Sequence, residues 1–100
     1  MPIVFGVDRD AELFRALADP TRRLILDELT ERSRQTLFEI CSRLANRHRV
    51  GSTRQAISQH LDMLEAAGLV HSTRQGRYRI FELDTTPLRA ITARWPAQEE

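Results

Sequence analysis

The stretch 52–83, STRQAISQHLDMLEAAGLVHSTRQGRYRIFEL, decides the fold. Its first half sets Ala56, Ile57, Leu61 and Leu64 at helical spacing, with Arg54, Gln55, Ser58, Gln59 and Asp62 on the opposite face. Ser52 or Thr53 caps this helix, and Gly68 stops it. The second half reads as two strands, 69–74 and 77–83, joined around Gln75-Gly76, where glycine supplies the turn. A helix that shows guanidinium, amide and hydroxyl groups to solvent, followed at once by an arginine-rich hairpin, suits DNA. The helix fits a major groove and the hairpin reaches along the backbone.

Upstream, residues 10–18 place Leu13, Phe14, Leu17 and Ala18 at helical spacing and predict a first helix. Asp19-Pro20 starts a second: Asp caps, and Pro takes the first helical position, where its missing N–H is not needed. That helix turns Leu24, Ile25 and Leu29 inward and Arg22, Arg23, Asp27 and Arg32 outward. Ser33-Arg34-Gln35 makes a break. Thr36 and Glu39 then match a capping box, opening a third helix striped by Leu37, Ile40, Cys41, Leu44 and Ala45. Residues 47–51 (RHRVG) carry no stripe and read as a turn or loop. Residues 86–95, with Leu88, Ile91 and Trp95, predict a last helix ended by Pro96. The order is four helices, a two-stranded hairpin and a final helix. The fold class is therefore mainly α with a small antiparallel β-hairpin: a helix-turn-helix with a wing. One hundred residues suit a single domain over 1–100, with 1–9 a loose arm and 96–100 a frayed tail.

Hydrophobic residues at 41% and charged residues at 29% are ordinary for a soluble globular protein. No apolar run reaches the ~18 residues of a membrane span, and the N-terminus does not resemble a secretory signal. A lone cysteine, Cys41, cannot close an intrachain disulfide. These features favour a cytoplasmic setting. Net charge is only +1, but residues 43–79 hold seven arginines against Asp62 and Glu65. A basic segment in a near-neutral protein is the footprint expected of specific DNA binding, although a solvated basic face would look the same.

ALADPTRRLILDEL, LFEICSRL, AISQHLDMLEAAGLV and RQGRYRIFELD together resemble the ArsR-type winged helix-turn-helix repressors over residues 11–95. The resemblance implies a homodimer built from the first and last helices, an inverted-repeat operator in double-stranded DNA, and repression lifted by a signal. The chain departs from that pattern in two places. Metal-sensing members carry a Cys-x-Cys pair where this chain has Thr36 and Phe38, and the last helix offers no His, Asp, Glu or Cys. No metal site and no cofactor is therefore carried over. The turn before the recognition helix is also longer than the family norm, by about six residues, and it is basic.

Arg54, Gln55, Ser58 and Gln59 are the candidate base-reading residues: Arg suits guanine, and Gln suits adenine. Gln55 could instead close a capping box with Ser52. Thr53, Arg47, Arg49, Arg74, Gln75, Arg77 and Arg79 are candidate phosphate and wing contacts, with Arg47, His48 and Arg49 equally readable as a free loop. Leu13, Phe14, Leu17, Leu88, Ile91 and Trp95 are core or dimer seam. His60 reads equally as a packing residue or a DNA contact, and Cys41 as a buried, inert thiol. No phosphate loop, nucleophile elbow or metalloprotease helix is present, so no enzyme is expected. Two rivals remain open at this level: a winged helix used for protein–protein contact, and a redox or metal sensor of the same fold.

Overall fold

The computed structural model describes residues 9–99. The arm expected over 1–9 therefore lies outside the described residues up to residue 8. Helix α1 (Arg9–Ala18) turns directly into α2 (Pro20–Glu31). A two-residue strand, β1 (Gln35–Thr36), leads into α3 (Leu37–His48). Then follow α4 (Arg54–Ala66), β2 (Val70–Gln75), β3 (Tyr78–Leu83), a 3-10 turn at Thr86–Leu88 and the short α5 (Arg89–Arg94).

The α1–α2 corner is built from the sequence ADPTRR. Asp19 caps α2, its Oδ1 accepting from the Thr21 N–H at 2.8 Å, and Pro20 takes the first helical position. The arginines behind it cap the preceding helix. Arg22 Nη2 donates to Arg15 O and Arg22 Nε to Ala16 O, both at 2.9 Å, while Arg23 Nη1 donates to Leu17 O at 2.8 Å. The last carbonyls of a helix lack intrahelical partners and carry its negative dipole end, so a guanidinium fork satisfies both needs. Arg22 is consequently buried, 8% exposed, where periodicity alone turned it to solvent.

The sheet has three antiparallel strands in the order β1-β3-β2 rather than a lone hairpin. Gln35 pairs with Phe81 and Thr36 with Ile80. Gln35 is fully buried, and its Nε2 donates to Glu28 O and Arg32 O at the end of α2. The predicted break thus becomes a strand because β3 needs a second ladder partner and α2 a C-terminal donor. The Thr36–Glu39 capping box forms as expected: Thr36 N–H donates to Glu39 Oε1 at 2.9 Å, and Glu39 N–H donates to Thr36 Oγ1 at 3.1 Å.

Helix α3 runs to His48, so Arg47 and His48 are helical rather than part of a turn. The cause is Glu28 on α2, whose carboxylate is 2% exposed. It accepts from Arg43 Nη1 at 3.0 Å and Arg47 Nη1 at 3.3 Å, one helical turn apart, and from His48 Nε2 at 2.7 Å. The basic residues that looked like a longer turn extend α3 instead, and the connection to α4 is residues 49–53. Ile25 and Leu29 from α2, Ile40 and Leu44 from α3, and Ile57, Leu61 and Leu64 from α4 form the centre of the core. Leu69, Val70 and Phe81 close it from the sheet side.

His71 and Asp84 tie the base of the hairpin. His71 Nε2 lies 2.7 Å from Asp84 Oδ2, and Asp84 Oδ1 accepts from the Thr86 N–H at 2.9 Å. The hydrogen bond from His71, then those from Thr86, hold the Asp84 carboxyl down at about 2. This contribution to stability is fully present above the ordinary aspartate value of 3.8 and is lost as pH falls through about 2. Titration of the carboxyl carbons by NMR is expected to find this low value in the native chain and a return toward 3.8 in His71→Ala.

Candidate nucleic-acid interface

Thr53 caps α4, its Oγ1 accepting from the Ala56 N–H at 3.1 Å. The alternative box between Ser52 and Gln55 does not form, which leaves the Gln55 amide to solvent. Arg54, Gln55 and Gln59 are exposed and Ser58 is half-buried beside them, all on one face of the first turns of α4. Thr53 itself is spent as the cap, although it too lies at the exposed N-terminus.

Gln75 and Tyr78 form the last ladder pair of the hairpin, so Gly76 and Arg77 make a two-residue turn. Gly76 has φ +59°, the positive value such turns demand at their first central position. Arg74, Gln75 and Arg77 are exposed around this tip. Arg74 stands directly opposite Arg79 across the ladder. Like charges there repel. Arg79 relieves part of the repulsion by leaning inward: its Nη2 lies 3.2 Å from Glu65 Oε1 and 2.9 Å from Ser72 Oγ, with the guanidinium 5.0 Å from the Phe81 ring centre.

The structure thereby sorts the seven arginines of 43–79. Arg43 and Arg47 neutralise Glu28, Arg47 also holds Glu31 at 2.9 Å, and Arg79 holds Glu65. Among the described residues no ion pair involves Arg49, Arg54, Arg74 or Arg77. Three of these four, Arg54, Arg74 and Arg77, line one cleft of about 270 Å3 between α4 and the wing. Arg47, a candidate phosphate contact by its sequence, bridges α3 to α2 through Glu28 and Glu31.

The three histidines are separated from one another. His48 meets Glu28, His71 meets Asp84, and His60 Nδ1 lies 3.1 Å from Arg22 Nη1. Among the described residues no group of three or more His, Cys, Asp or Glu is placed to hold a metal ion. Cys41 is half-buried; burial pushes its thiol up, and the nearby Arg54 charge does not offset this. Phe38, 66% exposed, and Tyr78, 62% exposed, stand on the walls of the arginine cleft although no motif marks them. The available signal was an apolar side chain off the buried stripe of α3.

At the other end, Phe14 and Trp95 bring the terminal helices together, their ring centres 5.9 Å apart and tilted by 43°. Leu17, Leu88 and Ile91 pack partly buried against the core, and Trp95 is exposed. Leu13, grouped with them from its spacing, is 3% exposed and belongs to the core of its own chain.

A recognition helix, a preceding helix at its back and a basic two-stranded wing define a winged helix-turn-helix protein. Residues 17–73 match the helix-turn-helix domain family. The HTH-type transcriptional regulator YuzN of Bacillus subtilis is 49% identical over 88% of this chain and 95% of its own. The transcriptional repressor SdpR of the same organism is 33% identical over 76% of this chain and 77% of its own. An ArsR-like transcriptional regulator from Rhodococcus sp. RHA1, of solved structure, superposes with a TM-score of 0.70 at 37% identity, covering 86% of this chain and 72% of that one. The chain belongs to the ArsR family of helix-turn-helix transcriptional regulators. No helix among the described residues is long and apolar enough to cross a membrane.

Proposed function

We propose that the chain is a cytoplasmic, homodimeric repressor that binds an inverted-repeat operator at its own or a neighbouring gene and lets go on an effector signal. One observation carries this reading: the unpaired cations Arg54, Arg74 and Arg77 converge on the face that also displays Gln55, Ser58 and Gln59. Cations without internal partners are the ones free to displace counterions from a phosphate backbone. The name of SdpR supports repression. The Phe14–Trp95 surface, with Leu17, Leu88 and Ile91 behind it, supports a two-fold seam between terminal helices. Two recognition helices would then enter successive major grooves with half-site centres about 34 Å apart.

Selection of bound sequences from a random duplex pool tests the reading, with a solution mass of twice 11.6 kDa as the check on the dimer. The expected product is a palindromic consensus. On that site Arg54→Ala should cost about 1–3 kcal/mol and relax the preference at one base position. Arg74→Ala and Arg77→Ala should weaken all sequences alike, each lowering the salt slope by about 1. Arg47→Ala should leave the slope unchanged, because its charge is already matched by Glu28 and Glu31. A pool that enriches no sequence overturns the proposal.

A further inference from the structure

We propose that Phe38 and Tyr78 are DNA-contact residues, packing on the deoxyribose faces of one sugar–phosphate strand seated in the cleft between α4 and the wing. The inference deepens the DNA-binding reading above and rests on it.

The cleft has two kinds of wall. Arg54 on α4 and Arg74 and Arg77 on the wing supply unpaired positive charge, and Arg74 faces Arg79 directly across the ladder. Arg79 is held by Glu65, so Arg74 is the member of this pair left for an anion. The aromatic walls are Phe38, at the start of α3, and Tyr78, beside the wing tip. Both are more than 60% exposed, in a described chain whose large hydrophobic side chains are otherwise mostly covered. A partner that suits this lining presents repeated negative charge with apolar surface between the charges.

A duplex backbone has that alternation: phosphates carry the charge, and the sugars between them present C–H faces. The position agrees as well. With α4 in a major groove and the wing tip over the neighbouring minor groove, the strand that separates the two grooves passes between them, which is where the cleft opens. Paired bases are stacked inside the duplex, so at this point the aromatic rings meet sugars rather than base faces. Ser58, also on the wall, adds a hydroxyl of the kind that donates to phosphate oxygens.

Apolar and ionic contacts separate by their salt dependence. Only neutralised phosphates release counterions, so losing a ring–sugar contact weakens binding equally at every salt concentration. The test uses the full chain and the duplex enriched from the random pool, with affinity measured from roughly 50 to 200 mM salt. Phe38→Ala and Tyr78→Ala are each expected to weaken binding about 5–10-fold with the salt slope unchanged, as the apolar area of one aromatic contact implies. Phe38→Leu should recover most of the loss, and Arg74→Ala in parallel should lower the slope by about 1. Both rings are exposed, so thermal unfolding of the variants should match the native chain and separate contact from folding. Aromatic variants within twofold of native affinity, or ones that lower the slope as Arg74→Ala does, overturn the proposal. Native protein that selects no sequence overturns the DNA-binding reading itself, and this inference with it.

Discussion

Replacing Glu28 with alanine is expected to destabilise the fold by about 2–4 kcal/mol, near the low end of the cost of breaking a buried ion pair. For a domain of this size that lowers the melting temperature by about 4–8 °C per kcal/mol. The carboxylate is 2% exposed and is the meeting point of Arg43, Arg47 and His48. Without it, Arg43 and His48 lose their acceptor and Arg47 keeps only Glu31, so the helix loses most of the tether that carries it to His48. The cost stays below the upper limit because these partners keep 27–44% of their side-chain surface in water, so the stranded charges hydrate. Burial alone would push the Glu28 carboxyl up. The hydrogen bonds from His48 and Arg43 and the charges of Arg47 and Arg43 outweigh it, and the net shift is downward. A lowered folded value means that the stabilisation is complete above about pH 4.5 and disappears as the carboxyl protonates on acidification. Denaturant melts of Glu28→Ala and Glu28→Gln across pH 3–7 check both parts. A loss under ~1 kcal/mol at pH 7 would show that the cluster is only a solvated surface network.

Arg22→Ala is the second large effect, expected at about 2–4 kcal/mol through one buried and one part-buried carbonyl left without donors. Its guanidinium serves Ala16 O and Arg15 O at once, and Nη1 also lies 3.3 Å from Met63 Sδ and 3.1 Å from His60 Nδ1. Alanine at this position unpairs the end of α1 and opens a gap beside α4. Arg22→Lys should restore part of the stability, since an ammonium reaches one carbonyl but cannot fork across two. Hydrogen exchange localises the effect: protection should fall first in the last turn of α1 and around His60, while the α3–α2 contact at Glu28 stays intact. An even loss across the whole chain would contradict this account.

The elements readable in the sequence were those set by neighbouring residues. Asp19-Pro20, the Thr36–Glu39 box, Gly68 and the Gly76 turn all act within a few positions of themselves, and all stand where local chemistry puts them. The exposed row Arg54, Gln55, Gln59 and the wing residues Arg74, Gln75 and Arg77 were likewise visible from period and turn alone. The parts that escaped depend on contacts distant in the chain. Strand β1 exists because Gln35 meets Phe81. Arg22 turns inward because the end of α1 needs donors, and Arg47 is paired because Glu28 and Glu31, on another helix, lie within its reach. A count of arginines cannot tell a matched cation from a free one, so the basic segment overstated the charge available to a partner. Phe38 and Tyr78 are illegible for a related reason: an aromatic residue announces burial until a structure shows it in the open.

The Arg22 side chain has a geometric consequence for operator choice. One guanidinium is bonded to the end of α1 and to His60 and Met63 of α4, so these two helices turn together as a single body. In the dimer proposed above, whatever grips α1 across the two-fold axis therefore sets the distance and tilt between the two copies of α4. On that proposal the spacer length of a binding site is measured at the α1–α2 corner, through the bonds of a single guanidinium.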